Sequence, residues 1–524
     1  MPYYIGGVIT RKEDLTLQTP ESFWKRFRIQ ARVHQEVIRI RREEKKVQIR
    51  DLKTGETYEE GYDKLLLSPG ASAVKPAVFG VEQEGVFTLR TVEDTWRIRE
   101  WIEEKKPKRA AVIGGGFIGL EMLENLLGLG IRTTLLQKSD QVMPPLDYDM
   151  ACGVHAYLRG RGVDLRFRQR VTGIEKTEQG LTVQIEGEEA LETDMVLLAI
   201  GVSPENWLAK EAGLDLGLRG AIVVDEHMRT SDPDIYAVGD GVTVRHFVSG
   251  QPAWIALAGP ANKEGRIAAD HICGRGSSYR GSQGSSILKL FDMSIASTGL
   301  NEKGAKEAGI PYDYVITFSP SHAAYYPGSS NMTLKVIFHK ESGQVLGAQI
   351  IGFEGVDKRI DVLAAAIRAR MTGEELAELE LAYAPPFSSA KDPVNMAGYV
   401  IEDVREGLVK QYTWKEALSL PRDGSVTLLD VRTDKEYAAG HIPGTVHIPL
   451  DGLRERLSEL DRGKRVYVNC QSGLRSYLAC RILAQKGFDC YNLIGGYRYY
   501  ALICEDQECN PVPSHSCGLP IHEE

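Results

Sequence analysis

Two stretches of this 524-residue chain hold side chains whose types and spacing could do chemistry. The first is Cys470-Gln-Ser-Gly-Leu-Arg475, which follows the apolar run Arg465-Val-Tyr-Val-Asn and opens a helix expected over Ser476 to Lys486. A cysteine in a tight loop at a helix N-terminus has backbone N–H groups aimed at its sulfur. Those groups, the helix dipole and Arg475 would stabilise an anion there, which makes Cys470 a candidate nucleophile and Arg475 its partner. A cysteine at a strand end is otherwise most often a buried core thiol; the glycine and arginine spacing argues against that here. The second stretch is Gly114-x-Gly116-x-x-Gly119. Three glycines on this spacing, between a β-branched strand (Ala110 to Ile113) and an apolar helix (Leu120 to Leu129), suit a dinucleotide. The first allows the tight turn, the second lets backbone approach a pyrophosphate, and the third packs helix against strand.

The elements that position these residues belong to several domains, because 524 residues exceed one core. Composition is that of a globular protein: 43% hydrophobic, 26% charged, and 53 glycines, a surplus that suits repeated nucleotide turns. A net charge of -9 argues against a nucleic-acid partner or an anionic membrane, and no apolar run is long enough to span one. Eight cysteines without a C-x-x-C pair, and no signal peptide, point to reduced thiols in the cytoplasm.

Read in order, Thr19-Pro20 starts a helix, and strands follow around Ala31 to Ile40 and Lys46 to Leu52 with a turn at Lys53 to Glu56. The basic residues between Lys25 and Lys46 are either an anion-attracting surface or a solvated face balanced by Glu36, Glu43 and Glu44. Tyr62 to Ala71 and Leu191 to Pro204 share one form, a buried strand running into a Gly/Pro turn; Gly201 lies in the second. In Tyr236-Ala-Val-Gly239-Asp240 a strand delivers a carboxylate that could accept a ligand hydroxyl, or simply cap a helix. Cys152 falls in a helix expected over Asp149 to Arg159 and reads as a core thiol.

Together, Gly114-x-Gly116-x-x-Gly119, Gly201-x-x-Pro204 and Tyr236 to Asp240 resemble the flavoprotein disulfide reductases. Tyr325-Tyr326-Pro-Gly, Gly355-x-Asp357-Lys-Arg-Ile-Asp361 and Tyr383-Ala-Pro-Pro-Phe-Ser-Ser-Ala-Lys391-Asp-Pro narrow this to the coenzyme A–disulfide reductase branch. The resemblance implies FAD, NADH or NADPH, coenzyme A as substrate, and a homodimer. It implies that Gly239 and Asp240 bind the FAD ribityl chain and that Tyr325 and Tyr383 reach the partner subunit's active site. It further implies that Lys391 and Asn262 bind substrate, and that the helix after Leu257 points its N-terminus at the flavin. The position of a coenzyme-A-binding lysine is occupied by Phe27, between Arg26 and Arg28. The strand after the glycine turn ends in Gln137-Lys138, where NAD-specific proteins carry an acid, so NADPH stays open beside NADH. Family members begin with an FAD-binding strand, turn and helix, then a redox cysteine before Gly-Leu-Pro-Tyr-Tyr-Ile-Gly-Gly. Met1 stands where that leucine would be, so the expectation is that the cysteine and a βαβ unit of roughly 30 residues lie upstream of the recorded start.

Near the C-terminus, Asp430-Val-Arg432, Gly440-His-Ile-Pro-Gly444 and the Cys470 loop resemble the rhodanese family, whose cysteine carries a persulfide. Four residues separate Cys470 from Arg475, against five in phosphate-cradling loops, and the smaller cradle suits a single sulfur. Asp430 and Arg432 are expected to brace the loop. The tail, with Cys504, Cys509, Cys517, His515 and His522, matches no zinc spacing, and no metal is expected. The expected fold is α/β: an N-terminally truncated FAD-binding domain (1–89 and 205–280), an NAD(P)H-binding domain (90–204), an α+β dimerisation domain (281–402), a rhodanese domain (412–507) and a tail (508–524). The expected activity is NAD(P)H-dependent reduction of coenzyme A disulfide, coenzyme A persulfide or polysulfide, with a sulfur-carrying module. The alternatives are a sulfurtransferase alone and an NADH oxidase or peroxidase.

Overall fold

The structure is a computed structural model that describes residues 1–510. Cys517, His515 and His522 lie outside the described residues. The chain forms two compact units, Met1–Ser139 with Asp164–Gly284, and Asp140–Val163 with Ser285–Glu524.

In the first unit, the strands Val86–Thr88, Met195–Leu198, Arg109–Ile113, Arg132–Leu136 and Asp164–Arg166 form a parallel sheet in that order. Its central strands are apolar on both faces, as a sheet covered by helices requires; Ala111, Val112, Leu135 and Val196 have no exposure. The helix Phe117–Gly128 packs beside it through Leu120, Leu123 and Leu126. The expected single strand over Leu191 to Pro204 is three: Leu191–Thr193, Met195–Leu198 and Val202–Pro204. Asp194 breaks the run, where its carboxylate accepts from the Lys108 and Arg109 amides at 2.8 and 2.9 Å. The two segments of like form pair with one another, Ala71–Ala73 antiparallel to Val202–Pro204. Leu65–Leu67 lies parallel to Ile235–Ala237, the strand that leads to Asp240. The helix begun by Thr19 runs from Pro20 to Phe27, with Thr19 and Ser22 capping each other's amides. Lys45, Arg41 and Arg32 in the basic stretch face Asp234, Glu59 and Glu60, which favours the solvated face over an anion site.

The second unit holds an antiparallel sheet in the order Ser286–Leu290, Met293–Gly299, Val345–Gly352, Asn331–His339, Tyr312–Pro320. Met293–Gly299 mixes serine and threonine into its face, and Tyr312–Pro320 carries Tyr and Asp at its start, so neither gave an apolar run. The helix Val356–Ala369 covers the sheet, and Pro393–Arg405 follows with Asp392 capping its first turn. The C-terminal module is a parallel sheet, Lys410–Tyr412, Cys490–Leu493, Val466–Asn469, Thr427–Asp430, Val446–His447. Also in this unit is the helix Tyr148–Gly160, where Cys152 is fully buried. His155 on that helix accepts the Val142 amide at Nε2, which leaves its Nδ1 proton to donate to Asp506.

Candidate functional site

The glycine turn has the shape that its spacing implies. Gly114 has φ +110°, and a Cβ there would lie 2.3 Å from the Ala199 carbonyl oxygen. A Cβ on Gly119 would lie 1.9 Å from the Gly114 carbonyl oxygen, which is the close helix–strand packing that only glycine permits. Gly116 meets nothing within 4 Å. It is the N-cap of the helix Phe117–Gly128 and makes no side-chain cap. An open backbone cradle at an uncapped helix N-terminus fits a pyrophosphate. Gln137 closes one side: its Oε1 accepts from the Gly115 amide at 2.8 Å, and its Nε2 donates to Ser139 Oγ at 2.7 Å. Gly201, at φ +114°, turns the chain beyond the neighbouring strand.

In the same unit Gly239 has φ +80°, and its amide donates to Glu264 Oε2 at 2.8 Å. Asp240 accepts from Arg90 Nη2, and its carbonyl accepts from Trp254 Nε1 at 2.8 Å. Burial pushes the Glu264 carboxyl up to about 7. Helix Ala258–Ile272 starts beside this turn without a side-chain cap, and Asn262, exposed in its second turn, donates back to the Ala258 carbonyl. Asp240 and this helix start fit the polyol and ring end of a flavin nucleotide. Within this sequence the G-x-G-x-x-G spacing occurs at Gly114 to Gly119.

In the second unit Tyr325 and Tyr383 meet, hydroxyl to hydroxyl, at 3.2 Å, and both are exposed. That contact holds the Tyr383 phenol above its ordinary value. Beneath their loops lies a residue of the Gly355-x-Asp357-Lys-Arg-Ile-Asp361 run whose role the sequence did not reveal. Arg359, 1% exposed, donates to Asp392 Oδ2 at 2.9 Å, Ser388 Oγ at 3.1 Å and the Ser321 carbonyl at 3.0 Å. It thereby ties the Tyr325 loop to the Tyr383 loop. Its signal was a lone arginine on the inner face of an amphipathic helix. Lys391 is exposed next to Asp392.

Cys470 lies at the end of the strand Val466–Asn469 and is fully buried. The Gly473 amide donates to its Sγ at 3.1 Å. The Ser476 hydroxyl shares its proton between Sγ (3.2 Å) and the Gly473 carbonyl (3.1 Å). Gly473 has φ +101°, which folds the loop back over the sulfur, and the helix Leu474–Gln485 starts there. Arg432 pairs with Asp430 and donates to Gln471 Oε1 at 3.3 Å, so this pair does brace the loop. Arg475 does not face the sulfur alone: it makes a two-pronged pair with Glu436. Ser476 and Glu436 were not singled out from sequence: Glu436 lies 39 residues from Arg475, and Ser476, though six residues from Cys470, falls one position past the Cys470–Arg475 motif.

Two acidic or thiol-bearing clusters have other tasks. Lys335 Nζ fills the space between Asp147, Asp149 and Glu302. In the group of Cys152, His155 and Asp506, both nitrogens of His155 are engaged by hydrogen bonds. Among the described residues no helix is long and apolar enough to cross a membrane.

A nucleotide cradle of this form, an antiparallel sheet domain and a buried loop cysteine in a parallel sheet are the parts of a known class. The family described as pyridine nucleotide-disulphide oxidoreductase matches residues 5–265, its dimerisation domain matches 285–393, and a rhodanese-like domain matches 413–502. The chain belongs to the pyridine nucleotide-disulphide oxidoreductases and carries a rhodanese-like domain at its C-terminal end. Among curated relatives, coenzyme A disulfide reductase of Staphylococcus aureus (strain bovine RF122 / ET3-1) is 36% identical over 400 residues, 76% of this chain and 89% of that protein. Among solved structures, reduced CoADR-RHD of Bacillus anthracis is 48% identical with a TM-score of 0.94, covering 96% of this chain and 90% of that one. An NAD-dependent persulfide reductase from A. fulgidus is 39% identical with a TM-score of 0.88, covering 95% and 92%.

Proposed function

We propose that the chain is a homodimeric, FAD-dependent reductase that uses NADH or NADPH to reduce coenzyme A disulfide, coenzyme A persulfide or polysulfide, with a sulfur carrier at Cys470. The observation that carries this reading is the pairing, in one chain, of an open glycine cradle at Gly116 with a buried Cys470 whose Sγ accepts two hydrogen bonds. The similarity to a coenzyme A disulfide reductase and to a persulfide reductase supports the substrate class. Gly114, Gly116 and Gly119 would hold the pyrophosphate of the nicotinamide nucleotide, with Gln137 at its adenosine ribose. Gly201, Gly239 and Asp240 would line the flavin site. Bound FAD would supply two-electron transfer from NAD(P)H to the sulfur substrate. The paired hydroxyls of Tyr325 and Tyr383 would place that substrate and hold a proton near the leaving thiol. Lys391 and Asn262 would contact the coenzyme A portion. Cys470, as a thiolate, would take the outer sulfur of a persulfide and release the thiol, with the Gly473 amide and Ser476 hydroxyl holding the charge on sulfur.

A second reading is sulfurtransferase alone, and one observation favours it: the Cys470 loop, with Sγ accepting from Gly473 and Ser476 and braced by Arg432, is built within the C-terminal parallel sheet and draws on no residue of the first unit. An assay of NAD(P)H oxidation with coenzyme A disulfide, run beside mass measurement of Cys470 after exposure to a persulfide, separates the two. Turnover with loading supports the full reading. Loading without turnover supports the second.

A further inference from the structure

Arg475 closes the Cys470 loop, and its position alone would make it the cation that draws an anionic sulfur donor. The structure gives that charge another partner. Nη1 and Nη2 of Arg475 donate to Glu436 Oε2 and Oε1 at 2.8 and 2.6 Å, a two-pronged pair that fixes the guanidinium plane. Those hydrogen bonds hold the Glu436 carboxyl down at about 2, so the pair stays doubly ionised across the neutral range. Glu436 is itself fixed by accepting from the Thr433 amide (3.0 Å) and hydroxyl (2.9 Å) at the start of the short helix Asp434–Ala438. The other guanidinium of the motif, Arg432, is neutralised by Asp430, and both are buried. Two exposed apolar side chains flank Arg475 on the helix that opens at the loop. Leu474 is 58% exposed inside the loop, and Leu478 is 44% exposed one turn later on the same helix face.

We propose that Glu436 is a specificity-determining residue for Cys470. By cancelling Arg475 it disfavours small dianionic sulfane donors of the thiosulfate type. It leaves the loop suited to persulfides on an organic arm, whose reacting end carries one negative charge or none. In the favoured step the Cys470 thiolate attacks the outer sulfur of R–S–SH. The donor S–S bond breaks, R–S⁻ leaves and takes a proton from water, and Cys470 holds the sulfur as Sγ–SH, with no net oxidation. This rests on the reading of Cys470 as a sulfur carrier, and Glu436 acts only through Arg475.

The test uses the full chain, with thiosulfate or the persulfide of 2-mercaptoethanol as donor and cyanide as acceptor, and follows thiocyanate release. Wild type is expected to show a weak, salt-insensitive KM for thiosulfate. Glu436→Gln keeps the hydrogen bonds at the helix start and removes the charge. It is expected to lower the thiosulfate KM on the order of tenfold and to make it salt-dependent, with the persulfide KM changed less than about twofold. Glu436→Asp is expected to restore the discrimination. An unchanged thiosulfate KM in Glu436→Gln, equal changes for both donors, or a wild-type KM for thiosulfate that is already tight and salt-dependent would overturn the proposal. Failure of wild-type Cys470 to load from either donor would overturn the carrier reading, and this inference with it.

Discussion

The amide of Gly115 donates to the side-chain oxygen of Gln137 at 2.8 Å, so the residue just past the strand Arg132–Leu136 is bound directly to the glycine turn. That contact places a neutral amide where the nucleotide's adenosine ribose would lie, with Lys138 exposed beside it. A carboxylate there would accept a ribose hydroxyl and repel a 2′-phosphate. Gln137→Glu is therefore expected to raise KM for NADPH by roughly tenfold while leaving KM for NADH within about threefold, since one added charge at this range is worth on the order of 1 kcal/mol. Steady-state kinetics with both nucleotides measures this; equal changes would contradict it.

Arg359 is buried and spends its donors on Asp392, Ser388 and the Ser321 carbonyl. Removing one partner of a buried ion pair strands the other, at a cost of about 3–5 kcal/mol. Arg359→Met is expected to lower unfolding stability by that amount. In the folded fraction, substrate KM should rise, because the loops carrying Tyr325 and Tyr383 lose their common anchor. Denaturant unfolding and KM for coenzyme A disulfide check the two parts.

Glu264 gives a pH dependence of one sign. Burial raises its carboxyl from 4.5 to about 7 in the folded protein. The folded state then binds the proton more tightly than the unfolded state. Its contribution to stability is full below about pH 4.5 and is lost as pH rises toward 7. Glu264→Gln can still accept the Gly239 amide, and it should raise the thermal midpoint by a few degrees at pH 8 and scarcely at pH 4. The difference corresponds to about 3 kcal/mol at most. A midpoint shift independent of pH would contradict this.

Asp506 has the opposite sign. Burial would raise its carboxyl, but hydrogen bonds from His155, Arg159 and Tyr148 outweigh that and hold it at about 2. The stability it contributes is present above pH 3.8 and is lost as pH falls toward 2, on the order of 2 kcal/mol. Acid unfolding of Asp506→Asn should be flatter than wild type across that window, from a lower starting stability at pH 7.

What could be read from sequence were features with local periodicity or fixed spacing. The strand, glycine turn and helix around Gly114 were legible because an apolar strand, three glycines on a fixed spacing and an apolar helix follow one another within a single short stretch. The Cys470 loop was legible for the same reason, and so was Thr19 as a helix cap. Contacts between residues far apart in the chain were not legible. Glu436 lies 39 residues from Arg475, and Asp506 lies 351 from His155; no period or motif couples such pairs. The break at Asp194 escaped notice because its carboxylate satisfies amides on a strand 85 residues earlier. The mixed faces of Met293–Gly299 and Tyr312–Pro320 are set by the neighbouring strands and helices, which sequence alone does not place beside them.

The most direct measurement is an anaerobic absorbance titration of the purified chain with NADH and NADPH, followed by addition of coenzyme A disulfide. The expected result is a flavin band that bleaches with the nucleotide and returns on adding the disulfide. A chain with no flavin band, or with a band that bleaches and does not return, would contradict the reductase and leave Cys470 as the only site of sulfur chemistry.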